Sequence, residues 1–199
     1  MLKRDLSLSL LFAAFAFVVA AAIPGFAEDA VEGTIVCVEV DEEGSMQTMT
    51  EFEECKGTML QMGADGKMYA LAGKGEEVKS MKGAGEKQTV SGELAGNTRG
   101  WILASANALK DDQTATVTGT IVCLLPDYQA GTVKQVVATG PCTELEPHAH
   151  VVRTKSGQVY ALSGSEDAIK KLEEMSDRND VELQGKIQGD QGAWVLFVN

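Results

Sequence analysis

Apolar and polar positions follow one order of patterns along this chain, and that order occurs twice. Val31 to Val40 alternates and is rich in β-branched residues, which predicts a first strand. Asp41 to Lys56 is acidic and polar and reads as a loop ending near Cys55. Thr58 to Met62 is a short second strand. Ala64-Asp65-Gly66 is a turn signal that pairs it with a third strand over Lys67 to Ala72. Glu76 to Met81 is a short helical stretch between glycines. Gln88 to Leu94 and Gly100 to Ser105 are a fourth and a fifth strand, separated by the turn residues Gly96-Asn97.

From residue 111 the same order returns. Val117 to Leu125, His150 to Arg153 and Gln158 to Leu162 predict the first three strands, and Val181 to Ile187 and Ala193 to Val198 the last two. The helix between them is better marked here. Ser165 is placed to cap it, Glu166 and Asp167 fall in the first turn, and Ala168, Ile169, Leu172 and Met175 form an apolar stripe at helical spacing. The correspondence extends to words. Gly33-Thr34-Ile35-Val36-Cys37 reappears as Gly119-Thr120-Ile121-Val122-Cys123, Met68-Tyr69-Ala70-Leu71 as Val159-Tyr160-Ala161-Leu162, and Trp101-Ile102-Leu103 as Trp194-Val195-Leu196. The offset between copies drifts only from 86 to 93 residues, so the repeating unit is a whole domain. The expected organisation is a leader over 1–27, one domain over 28–110 and a second over 111–199.

Five strands with a helix between the third and the fourth is the order of the oligonucleotide/oligosaccharide-binding (OB) fold. The chain resembles small exported bacterial OB-fold domains, in which a "V-x-G-x-hydrophobic" pattern opens strands one and four and "D-G-x-x-Y-x-L" marks strand three. The corresponding residues here are Glu32-Gly33-Thr34-Ile35, Ser91-Gly92-Glu93-Leu94 and Asp65-Gly66-Lys67-Met68-Tyr69-Ala70-Leu71, with counterparts in the second copy. The resemblance implies a mainly β protein of two tandem OB-like five-stranded barrels, each with one short helix. A different small five- or six-stranded barrel fits the same order. Neither reading dictates a function.

The N-terminal segment adds a compartment. Lys3 and Arg4 precede an almost wholly apolar run from Leu6 to Ile23, and Pro24-Gly25-Phe26-Ala27 ends it with the small residues a signal peptidase reads. The expected location is periplasmic or secreted, with no membrane span once the leader is removed; an uncleaved anchor is the alternative. Export permits disulfides. Cys37 and Cys55 lie in the first copy and Cys123 and Cys142 in the second, at matched spacing. Repeat symmetry favours Cys37–Cys55 and Cys123–Cys142 among the three pairings that four cysteines allow. Each bridge would stabilise its small domain by roughly 3 kcal/mol in the chain-entropy model. The charge is strongly acidic, 17 basic against 29 acidic residues and a net of −12, which argues against nucleic acid as a partner.

Candidate chemistry is sparse. His148 and His150 are the two histidines of the chain, two apart at the start of a predicted strand, so both rings point to one face and could meet a copper or zinc ion. The first copy has Met46, Met49, Met59 and Met62 instead, and thioether sulfur suits Cu(I); Met59 and Met62 equally suit a small irregular core. Tyr69, Tyr160, Trp101 and Trp194 stand at matched positions and read as barrel core, with ligand stacking as the alternative. Gly73-Lys74-Gly75 lacks the phosphate-loop pattern, no nucleophile signature surrounds any Ser, Asp or Lys, and the cysteines lack the Cys-x-x-Cys spacing of a redox pair. The expectation is therefore a non-catalytic binding or adaptor protein of the cell envelope, whose partner is a protein, a polymer or a small ligand. The second reading is a periplasmic metal-handling protein using the His-x-His pair and the methionines.

Overall fold

The structure is a computed structural model and describes residues 29–73, 81–95, 101–104, 113–137, 140–190 and 192–198. The leader, most of the short helical stretch expected at Glu76 to Met81, and the expected domain junction near residue 111 lie outside the described residues. Among the described residues, no helix is long and apolar enough to cross a membrane.

The chain is mainly β. The first half contains β1 (Asp29–Val40), β2 (Met46–Met49), β3 (Glu51–Phe52), β4 (Thr58–Gly63), β5 (Met68–Ala72), β6 (Gly83–Ala84), β7 (Lys87–Ala95) and β8 (Trp101–Ala104). The second contains β9 (Gln113–Asp127), β10 (Thr132–Val136), β11 (Ala149–Thr154), β12 (Val159–Gly164), α1 (Glu166–Glu174), β13 (Val181–Gln188) and β14 (Val195–Val198). In the second half the order β9-β11-β12-β14-β13 returns to β9, which closes a five-stranded barrel, and β10 extends it at the edge of β9. The first half has the strand order β2-β1-β4-β5-β8-β7, with β1 also paired to β7. In both sheets the third and last strands run parallel, β5 with β8 and β12 with β14, and the other pairs are antiparallel.

The long strands β1 and β9 each pair with three partners, β1 with β2, β4 and β7 and β9 with β10, β11 and β13, and must bend to do so. Gly33 and Gly119 sit where the partner changes. Gly33 is in register with both Gly63 and Gln88, and Gly119 with both Thr154 and Val181. A Cβ at Gly33 would overlap the Met62 carbonyl, and one at Gly119 the Arg153 carbonyl. Glycine here permits the close backbone approach that a barrel corner needs.

The word Ile-Val-Cys is apolar at successive positions because both faces of the strand are buried. Ile35 and Cys37 point into the first sheet, with Met59, Tyr69, Leu71 and Val90. Ile121 points into the barrel of the second half, with Val152, Leu162, Leu183, Leu196 and the helix residues Ala168, Ile169 and Leu172. The intervening Val36 and Val38, with Leu60, Met62 and Met68, form a single cluster with Val122, Leu124, Ala149, Val151 and Val159. The two halves thus share an apolar core made from the outer faces of their sheets. Thr58 Oγ1 donates to the Trp194 carbonyl (2.7 Å) and Thr48 Oγ1 to the Val133 carbonyl (3.2 Å), adding hydrogen bonds between the halves.

The segment Asp41 to Lys56 corrects the expectation of a loop. It holds β2, which pairs with the end of β1, and β3. The Asp41 carboxylate organises the connecting turn by accepting from the backbone N–H groups of Ser45 and Glu43 and from the Gln47 side chain. The Ser45 bond leads the interactions that hold this carboxyl below its usual range.

Candidate metal site

The site forms where β9, β11 and the C-terminal end of α1 meet inside the barrel of the second half. Cys123 is on β9, fully buried, in direct register with His150 on β11. His148 lies one residue before β11, so its ring falls on the same side as that of His150. Cys142 lies in the segment between β10 and β11. Its N–H donates to the Glu173 carbonyl at the end of the helix (2.8 Å), and its carbonyl accepts from Leu145 N in a tight turn (3.0 Å). Ser165 caps the other end of α1 by accepting from Ala168 N, and the buried stripe Ala168, Ile169 and Leu172 seats the helix against the barrel core.

One donor atom from each of Cys123, Cys142, His148 and His150 lies within 4.8 Å of all the others, and all four side chains are buried. His148 Nε2 is 3.0 Å from His150 Nε2 and 3.3 Å from Cys142 Sγ, and His150 Nε2 is 3.4 Å from Cys142 Sγ. These three separations are close to the ligand–ligand spacings around an ion bonded at ~2.0–2.3 Å to nitrogen and sulfur, the bond lengths of zinc to His and Cys. The tautomer of His148 follows from its partner. Nδ1 lies 2.7 Å from the Glu146 carbonyl, which can only accept, so Nδ1 carries the proton and Nε2 presents its lone pair to the cluster.

Arg178 closes the site from the far side of the sulfurs. It is almost wholly buried, and it donates from Nη1 to Cys123 Sγ (3.4 Å) and from Nη2 to Cys142 Sγ (2.8 Å). Nη2 also reaches the Leu172 and Glu173 carbonyls at 2.7 and 3.2 Å. These are terminal carbonyls of α1, the end of a helix that favours a cation. The guanidinium therefore steadies charge on both sulfurs and adds a donor to helix-end carbonyls that also accept from Met175 N and Cys142 N. Burial, followed by the neighbouring Cys142, pushes the Cys123 thiol up to about 12 despite the opposing pull of Arg178. Without an ion this sulfur keeps its proton at neutral pH.

The expected cysteine pairs have different fates. Cys37 and Cys55 are bridged, with Cα atoms 5.6 Å apart. Cys123 and Cys142 are both free thiols, which corrects the symmetric expectation of a second bridge. The physical difference is the surroundings: the second pair has two imidazoles and a guanidinium within hydrogen-bonding reach, and among the described residues the first has none of them. His150 and Met59 are equivalent by register, since each stands opposite the cysteine of its first strand.

The four methionines do not form a site. Met49 and Met59 pack toward the interior of the first sheet, whereas Met46 and Met62 join the core between the halves. The thioethers fill two separate apolar volumes. Tyr69 is core, with its hydroxyl donating to Asp65 Oδ2 (2.7 Å). Tyr160 packs beside Trp194, with ring centroids 6.2 Å apart. The side chain of Trp101 lies outside the described residues.

The chain matches no protein-family model, no curated protein and no solved structure.

Proposed function

We propose that this chain is a non-catalytic, exported metal-binding protein built of two OB-like barrels in tandem, with one ion held in the second barrel by Cys123, Cys142, His148 and His150. The observation that carries this reading is the convergence of four buried donor atoms within 4.8 Å of one another. Two thiolates and two imidazoles in near-tetrahedral array are a donor set for a closed, non-catalytic site. The matching strand orders of the two sheets, with the parallel pairing of third and last strands in each, support the tandem OB-like arrangement. The apolar N-terminal run supports export.

The donor set favours zinc over Cu(I): two thiolates and two imidazoles supply the four ligands of a closed tetrahedral zinc site.

The test is calorimetry of the full chain with Zn(II) and, under anaerobic conditions, Cu(I), with Co(II) as a spectroscopic stand-in. One ion per chain is expected, with the intense visible bands of tetrahedral thiolate-ligated cobalt. Affinity should fall as pH drops through about 6.5, where imidazole takes up a proton and can no longer coordinate. The His148→Ala/His150→Ala variant should lose binding. Binding unchanged in that variant, or no uptake by the parent chain, refutes the reading.

A further inference from the structure

The two halves hold equivalent cysteine pairs in different chemical states. Register aligns Cys37 with Cys123 and Met59 with His150. It also aligns Gly85 with Arg178, because Gln88 and Val181 stand opposite Gly33 and Gly119. Counting back from Met59 and His150, Gly57 falls opposite His148. At three positions, then, the second half has a polar partner for sulfur where the first has glycine or methionine. The first pair is bridged. The second is a pair of thiols whose sulfurs lie within 4.8 Å of each other, with Cys123 at the strand position that Cys37 holds in the bridged first half.

Resting on the metal-site reading above, we infer that Cys123 and Cys142 alternate between a zinc-holding thiolate pair and a disulfide like that of the first half, so that oxidation ejects the ion. Oxidation removes two of the four ligands, and the remaining imidazole pair is a much weaker site. Both sulfurs are almost fully buried, at 0 % and 1 % exposure, which selects a small oxidant over a protein one. Hydrogen peroxide meets that requirement. One thiolate attacks a peroxide oxygen, breaking the O–O bond, and becomes a sulfenic acid as hydroxide leaves. The second thiolate then attacks that sulfur, forming the S–S bond and releasing a second hydroxide. Two thiolates and one peroxide thus give one disulfide and two hydroxides, and the zinc departs as a divalent cation. Both sulfurs enter the reaction as the thiolates that zinc holds, and Arg178 donates to each of them.

The experiment uses the full chain loaded with zinc. Zinc uptake is measured first, so that a failure of the metal reading is seen separately. Hydrogen peroxide is then added, released zinc is followed with a chromophoric chelator, and non-reducing peptide mapping scores the bridges, with Cys37–Cys55 as the standard in the same digest. The expected result is one zinc released for each Cys123–Cys142 bridge formed, and recovery of zinc binding after treatment with a dithiol. Zinc loss accompanied by sulfinic or sulfonic acids without the bridge would overturn the inference. So would a Cys123–Cys142 bridge that forms with zinc still bound. Either of these outcomes leaves the metal site itself standing, whereas a chain that takes up no zinc removes both.

Discussion

Arg178 shows why some functional residues are invisible in a sequence. It lies in Ser176-Asp177-Arg178-Asn179-Asp180, a stretch whose composition reads as a solvated turn. The fold instead turns the guanidinium inward, where it bonds two sulfurs and two helix carbonyls. His148 and His150 were legible as a pair because residues two apart on a strand share a face. Cys123 and Cys142 were legible as a pair but not as ligands, since the matched spacing that relates them to Cys37 and Cys55 argues equally for a bridge. Replacing Arg178 by alanine leaves Cys142 Sγ and the Leu172 and Glu173 carbonyls without this donor in a buried place. The metal-free chain should lose about 2–4 kcal/mol in urea unfolding, several times the cost of a surface substitution. Arg178→Lys should recover only part of this, because a single ammonium cannot present a planar fork to both sulfurs. An alanine variant as stable as the parent would show that the buried guanidinium contributes nothing to the fold.

At the scale of elements, repetition in the sequence located the strands of both sheets better than local propensity did. β1, β4, β5 and β7 and their counterparts β9, β11, β12 and β13 fall where the alternating and β-branched segments place them, and α1 follows its cap and apolar stripe. The strands β2 and β10 escaped notice for a physical reason. Each is short and lies in a polar stretch, and its pairing depends on the overhanging end of the preceding long strand, a tertiary property. The glycines of the repeated word carry the bend that lets one strand serve two partners. Gly119→Ala should therefore destabilise the chain by about 1–3 kcal/mol, the usual cost of forcing extra volume into a packed site. Ala130→Gly, in the exposed β9–β10 turn, should cost far less. Thermal unfolding of the two variants side by side checks this; equal midpoints would mean that the strand can shift enough at Gly119 to admit a methyl group.

For the whole molecule the central fact is the apolar core that neither half can complete alone. Val36, Val38, Leu60, Met62 and Met68 meet Val122, Leu124, Ala149, Val151 and Val159, so separating the halves would expose both faces to water. The sequence shows two repeats with a polar link, which suggests two independent units, each able to fold alone. The doubly apolar first strands are the sign of the opposite, because a strand with one solvated face would alternate. The two tryptophans offer a direct test, since Trp101 lies in the first half and Trp194 in the second. In Trp194→Phe the remaining fluorescence reports on the first half, and in Trp101→Phe on the second. Because the halves share a core, urea unfolding followed through either tryptophan should coincide with the loss of strand signal by circular dichroism in the same variant, as one cooperative transition. Introducing Leu60→Asp, which places a charge in the shared core, should lower the midpoint seen by both reporters, including the one in the half that carries no substitution. Separate transitions in the parent background, or an effect of Leu60→Asp confined to the Trp101 signal, would show that each half stands by its own interior and that the contact between them contributes little to either.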